Sequence, residues 1–206
     1  NFTNNALLWG ARGNGKSSLI KSVFHKVLSK HNNLKLIQLN KNNIFDIEYL
    51  YQIIGKLYHY RFIIFIDDLS FEKIDSDYKI IKSTLDGSIQ NQPTNILLYV
   101  TSNRRHLMPR DMIENERSSA IHTDESVEEK ISLSDRFGLW IGFHNLSQND
   151  YLEIIKKYCA EYKLIFNDDI KKEATRWSLQ RGNRTGRTAW QFILNYAADK
   201  NKKIII

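Results

Sequence analysis

One eight-residue run constrains this chain more than any other feature: Gly10-Ala11-Arg12-Gly13-Asn14-Gly15-Lys16-Ser17. Glycines at this spacing, followed by Lys-Ser, form the Walker A pattern. The glycines let a loop curl so that successive backbone N–H groups point inward and make a nest for phosphate oxygens. A helix starting near Lys16 adds its positive end to the same nest. The Lys16 ammonium then reaches β- and γ-phosphates, and the Ser17 hydroxyl is a magnesium ligand. Gly10 to Ser17, with Ser18 behind them, are therefore the expected binding residues for ATP. The flanks agree. Ala6–Trp9 precedes the run as an apolar strand, and Leu19, Ile20, Val23, Phe24 and Val27 follow at helical spacing.

That strand–loop–helix unit repeats in outline along the chain. Ala6–Trp9, Leu36–Leu39, Phe62–Ile66, Ile96–Thr101 and Leu139–Phe143 are short apolar runs bounded by polar or turn residues. Such runs suit strands buried on both faces of a parallel sheet. Between them the spacing predicts helices over Lys16–Ser29, Ile47–Leu57, Tyr78–Ile89 and, less regularly, Ser126–Phe137. Alternating strands and helices predict an α/β P-loop fold with about five parallel strands. After residue 146 the strand signal stops. Ser147–Tyr162, Asp168–Leu179 and Thr188–Asp199 read as helices, with Ser147 as N-cap and Asp150 at the capping-box position. The expected organisation is an α/β core over 1–146 and a small helical lid over 147–206. Residues 109–129, rich in acidic side chains, read as a long loop or insertion.

A phosphate cradle needs a second acidic site to hold a magnesium shell. Phe62-Ile63-Ile64-Phe65-Ile66-Asp67-Asp68 has the Walker B pattern. Asp67 stands where the strand ends, at the sheet edge where ligands of open α/β sheets bind. It is the expected second Mg²⁺ residue beside Ser17. Asp68 is the candidate that orients or deprotonates an attacking water. Asn103, at the end of the next apolar strand, is a candidate for holding that water or the γ-phosphate. Arginine donates two parallel hydrogen bonds to a phosphate. Arg136 stands before the last strand and Arg187 at the start of a lid helix, so both are candidates for γ-phosphate contacts. Arg136 is the one that can project toward a neighbouring copy.

Composition narrows the classes further. With 42% hydrophobic and 26% charged residues, the 206-residue chain is an ordinary globular one. No apolar run reaches membrane-spanning length, and the last three isoleucines are too few. Cys159 is the single cysteine, which fits a reducing, cytoplasmic setting. The first residue is Asn1, not Met, so the chain is expected to be a fragment. Residues 1–146 hold 18 basic and 16 acidic side chains, while 147–206 hold 12 and 7. This basic C-terminal part suits nucleic acid, or simply a solvated helix surface with arginines facing nucleotide phosphates.

Taken in order, Gly10–Ser17, Phe62–Asp68, Asn103, Arg136 and Arg187 resemble the Walker A, Walker B, sensor-1, arginine-finger and sensor-2 elements of the AAA+ superfamily. The runs Asp67-Asp68-Leu69-Ser70-Phe71-Glu72, Thr101–Leu107 and Ser132–Leu139 resemble, more narrowly, a bacterial family of unknown function whose members are predicted AAA+ ATPases. The resemblance implies an ATP-binding core with a lid, self-assembly in which Arg136 acts in trans, and no particular substrate. Most AAA+ motors have Asp-Glu where this chain has Asp67-Asp68. The shorter carboxylate stands roughly an ångström back, and an error of that size can cost about a hundredfold in rate. Glu72 or a water is the expected helper. Two function classes follow: a Mg²⁺-dependent ATPase, and a nucleotide-gated switch or loader-like adaptor for a nucleic-acid machine with little turnover. A small-molecule kinase fits less well, because no acceptor pocket is legible.

Overall fold

The computed structural model describes residues 4–71, 77–86, 93–107 and 133–200. Glu72, the acidic segment 109–129, most of the helix expected over Ser126–Phe137, and Ile204–Ile206 lie outside them. Of that helix, Leu133–Phe137 are described: Leu133–Asp135 are helical, Arg136 is in a turn and Phe137 is outside any helix. By internal contacts the chain forms two compact units, one of residues 1–10 and 16–142 and one of residues 11–15 and 143–206.

The first unit is built on a five-stranded sheet. Its strands are β1 (Ala6–Gly10), β2 (Leu34–Leu39), β3 (Arg61–Ile66), β4 (Ile96–Ser102) and β5 (Leu139–Phe143), in the order β2-β3-β4-β1-β5. The β2–β3, β3–β4 and β1–β4 pairs are parallel. Each strand lies where the apolar runs predict it, within two residues. The central strands are continuous apolar runs because both faces are covered: Leu7, Ile64, Phe65, Ile66, Leu98 and Val100 are all fully buried. Register fixes where functional residues leave the sheet. Ile66 pairs with Val100, and Trp9 with Ser102. Gly10, Asp67 and Asn103 therefore emerge together at the C-terminal edge. Truncating one of these core residues, such as Ile64→Ala, removes a fully buried side chain and costs about 2–5 kcal/mol.

Helix α1 (Lys16–Leu28) follows the glycine loop, α2 (Ile47–Ile54) follows a 3₁₀ turn at Lys41–Asp46, and α3 (Tyr78–Asp86) precedes β4. Two details differ from the sequence pattern. On α1 only Lys16 and Ile20 are buried, while Leu19, Val23 and Val27 remain more than a third exposed. Helix α2 stops at Ile54 rather than running to Leu57. Its C-cap Gly55 lies so close to Pro93 that an added Cβ would stand 2.7 Å from the ring Cγ. The buried Asn95 side chain then donates to the carbonyls of Ile54, Leu57 and Tyr60, satisfying groups a longer helix would have used itself.

The second unit contains three helices among its described residues, α4 (Gln148–Glu161), α5 (Asp168–Gln180) and α6 (Gly186–Asp199). They pack around Tyr151, Ile155, Ile170, Ala174, Phe192 and Ile193. All three N-termini are capped by side chains, from Ser147, Asn167 and Thr185. The capping box read at Ser147 and Asp150 forms: Ser147 Oγ accepts from the Asp150 N–H at 3.1 Å, and Asp150 Oδ2 accepts from the Ser147 N–H at 3.1 Å. Helix α6 starts two residues before the apolar pattern suggests, because Thr185 supplies the cap and the Gly186-Arg187 pair already sits in the first turn.

Candidate nucleotide site

The polar residues at the edge of the first unit's sheet form two linked chains. Lys16, buried at the start of α1, donates from Nζ to the Gly10 carbonyl at 2.7 Å and to Asn103 Oδ1 at 3.1 Å. Asn103 Nδ2 donates in turn to Asp68 Oδ1. Beside this chain, Ser17 Oγ donates to Asp67 Oδ1 at 2.6 Å. The same carboxylate oxygen accepts from Thr101 Oγ1 at 2.5 Å. The Thr101 hydroxyl also accepts from the Asp68 N–H at 2.9 Å. Lys16, Ser17, Asp67, Asp68 and Asn103, read from sequence as one site, are thus gathered by three strand ends and a helix start. Ser18 is exposed on the first turn of α1.

Ser17 Oγ and Asp67 Oδ1 are hard oxygen donors a hydrogen bond apart. This donor set suits Mg²⁺, which keeps several waters and takes one or two protein ligands. No group of three or more His, Cys, Asp or Glu side chains suited to a metal occurs among the described residues.

The loop between Gly10 and Lys16 is shaped by positive φ angles at Gly10 (135°), Gly13 (81°) and Gly15 (91°). Side-chain-bearing residues rarely adopt them. Residues 11–15 belong to the second unit. There the Arg187 N–H donates to the Gly13 carbonyl at 3.0 Å, and Asn14 Nδ2 donates to the His144 carbonyl at 3.0 Å. A Cβ on Gly13 would stand 3.1 Å from both Arg187 Cβ and Thr185 Oγ1. The second unit also holds a cavity of about 650 Å³ whose lining includes Ala11, Arg12, Arg181, Arg184 and Arg187 and no carboxylate. Arg184, which lines it, has its Nε buried without a hydrogen-bond partner. Arg136 lies half-buried in the turn before β5, in the first unit.

Sequence reasoning missed Thr101 as a site residue, placing it as the last residue of a strand. A signal existed: a hydroxyl ending an apolar strand is buried, here to 1% exposure, and a buried hydroxyl needs partners. No helix among the described residues is long and apolar enough to cross a membrane.

Comparison with known proteins supports the same fold. The chain is similar to domain III of the replication initiation protein DnaA from Thermotoga maritima, with 14% identity and a TM-score of 0.59 over 98% of this chain and 80% of that one. It is similar to a single-substitution form of RuvB from Thermotoga maritima, with 18% identity and a TM-score of 0.56 over 98% of this chain and 58% of that one. AMPPCP-bound DnaA from Aquifex aeolicus matches with 13% identity and a TM-score of 0.57, over 97% of this chain and 57% of that one. The chain therefore spans less than three fifths of the latter two proteins. No curated protein sequence matches it. The profile of the family described as "Protein of unknown function (DUF815)" matches residues 1–200. That match over nearly the whole chain places it in the DUF815 family, and the Walker A loop, the five-stranded sheet and the structural neighbours show the AAA+ P-loop fold.

Proposed function

We propose that this chain binds ATP with Mg²⁺ at the 10–17 loop and hydrolyses it, coupling the nucleotide state to conformational change or self-assembly. The observation that carries the reading is the pair of polar chains, Lys16–Asn103–Asp68 and Ser17–Asp67–Thr101, gathered where the Walker A loop enters its helix. Lys16 exchanges the Gly10 carbonyl and Asn103 for phosphate oxygens, a charge-assisted replacement for neutral acceptors. Ser17 and Asp67 would hold Mg²⁺, directly or through water. Bound magnesium supplies positive charge that neutralises the phosphate oxygens as the terminal bond breaks. Asp68 accepts a proton from, or orients, the attacking water, and Asn103 holds the water or the γ-phosphate. Arg187, in the first turn of α6, is assigned to the γ-phosphate. Arg136 is assigned to the nucleotide of a neighbouring copy. The likeness to AMPPCP-bound DnaA supports a nucleotide ligand for this chain. A cytoplasmic location goes with this reading, where a single reduced thiol such as Cys159 persists.

A second reading is a nucleotide-gated switch with little turnover, serving as a loader or adaptor for a nucleic-acid machine. The aspartate at position 68, one methylene shorter than the usual glutamate, favours slow hydrolysis. The basic balance of residues 147–206 and the likeness to a replication initiation protein favour a nucleic-acid partner. Phosphate release from Mg·ATP separates the two readings. Release that disappears in Lys16→Ala supports the ATPase. ATP binding without release, together with ATP-dependent and salt-sensitive DNA binding, supports the switch. Absence of ATP binding defeats both.

A further inference from the structure

We propose that Thr101 is a positioning residue that sets the orientation of both Asp67 and Asp68. The idea rests on the proposed ATP site but is carried by contacts within the first unit. A threonine hydroxyl has one hydrogen to donate and two lone pairs to accept with. Thr101 gives its hydrogen to Asp67 Oδ1 at 2.5 Å and accepts the Asp68 N–H at 2.9 Å. Its carbonyl accepts the Leu69 N–H at 2.8 Å. One residue of β4 thus holds three consecutive residues leaving β3.

The backbone explains why such a clamp is needed. Asp68 has φ 54°, in the left-handed region where a side-chain-bearing residue is uncommon, although Asp tolerates it better than most. A residue held there persists when its surroundings over-determine it. The hydrogen bonds on either side of the Asp68 Cα, from its own N–H and from the next N–H, do this, and both end on Thr101. The turn directs the Asp68 carboxylate to Asn103, while Asp67 is left facing Ser17. Thr101 is itself fixed, since it is buried to 1% exposure and follows Val100, paired with both Leu7 and Ile66. It touches no reacting atom and acts through the two aspartates.

Thr101→Val keeps the side chain's volume and its carbonyl and removes the hydroxyl. Thr101→Ser keeps the hydroxyl. Amide hydrogen exchange in the nucleotide-free protein tests the clamp alone. In Thr101→Val the Asp68 N–H exchanges at least about tenfold faster, as expected for loss of roughly 1.4 kcal/mol of protection, and in Thr101→Ser it stays near wild type. The link to the metal is read by calorimetry of ATP with and without Mg²⁺. Thr101→Val loses most of the Mg²⁺-dependent gain in affinity and keeps the Mg²⁺-free affinity. If the wild type turns ATP over, kcat falls about tenfold to a hundredfold in Thr101→Val with KM within a few fold, and Thr101→Ser restores it. Unchanged Asp68 exchange in a folded Thr101→Val protein overturns the proposal, as does a Thr101→Ser variant as impaired as the valine. A wild type blind to ATP, with accelerated exchange in Thr101→Val, defeats the proposed function and leaves the clamp standing.

Discussion

Lys16 Nζ and Asn103 Oδ1 stand 3.1 Å apart across 87 positions of sequence, joining the lysine of the glycine loop to the residue that follows β4. Asn103 passes the contact on to Asp68. Under the proposed function, a phosphate arriving at Lys16 would compete for the ammonium, so nucleotide binding would alter the hydrogen-bond state of Asn103 and, through it, of Asp68.

Substitutions along this chain should therefore split binding from turnover. Asn103→Ala and Asp68→Asn remove groups that the proposal assigns to the attacking water and leave the glycine loop intact. In steady-state phosphate release each lowers kcat about a hundredfold or more, while ATP affinity by calorimetry stays within a few fold of wild type. Equal losses in affinity and turnover would show that these side chains hold the ground-state nucleotide.

Gly13→Ala should damage both loop and binding. The new Cβ meets Arg187 Cβ and Thr185 Oγ1 at 3.1 Å on a backbone with φ 81°. The strain is on the order of 1–3 kcal/mol. The thermal midpoint of the variant falls, and its ATP affinity drops more than tenfold because the N–H nest no longer closes. A variant as stable and as tight-binding as wild type would show that the loop conformation is not the bound one.

How far the sequence carried is seen in particular elements. The central strands were legible because a parallel sheet covered on both faces demands unbroken apolar runs, as at Phe62–Ile66, while the partly exposed β2 and β5 showed as short apolar runs between polar residues. Ser147 was legible as an N-cap because its hydroxyl and the carboxylate three residues on satisfy each other's backbone N–H. The end of α2 was not legible, since it depends on Pro93 and Asn95, some forty residues away. The 3₁₀ turn at Lys41–Asp46 has no periodic signature of its own. Thr101 was invisible as a site residue because its role depends on strand register, which places its hydroxyl beside two carboxylates from another strand. The grouping of residues 11–15 with the helical unit likewise rests on contacts with His144 and Arg187 that spacing cannot supply.

The Ser147–Asp150 box makes a pH prediction. Ser147→Ala removes the cap and costs about 1 kcal/mol by denaturant unfolding at neutral pH. Hydrogen bonds from the Ser147 hydroxyl and backbone hold the Asp150 carboxyl below its ordinary range, so its ionised form is favoured by folding. That contribution is full above the ordinary carboxylate range and is lost as pH falls through the lowered value. The stability gap between wild type and Asp150→Asn therefore narrows on acidification from neutral pH. A gap that is constant or widens would mean the carboxylate is not the capping species.

The most direct test of the account is calorimetric titration of ATP into the protein with Mg²⁺ present, repeated with Lys16→Ala. The account predicts one saturable site per chain in the wild type. It predicts affinity at least about a hundredfold weaker in the variant, the loss expected when hydrogen bonds to a charged group are removed. No binding by the folded wild type, or equal affinity in both proteins, would contradict it.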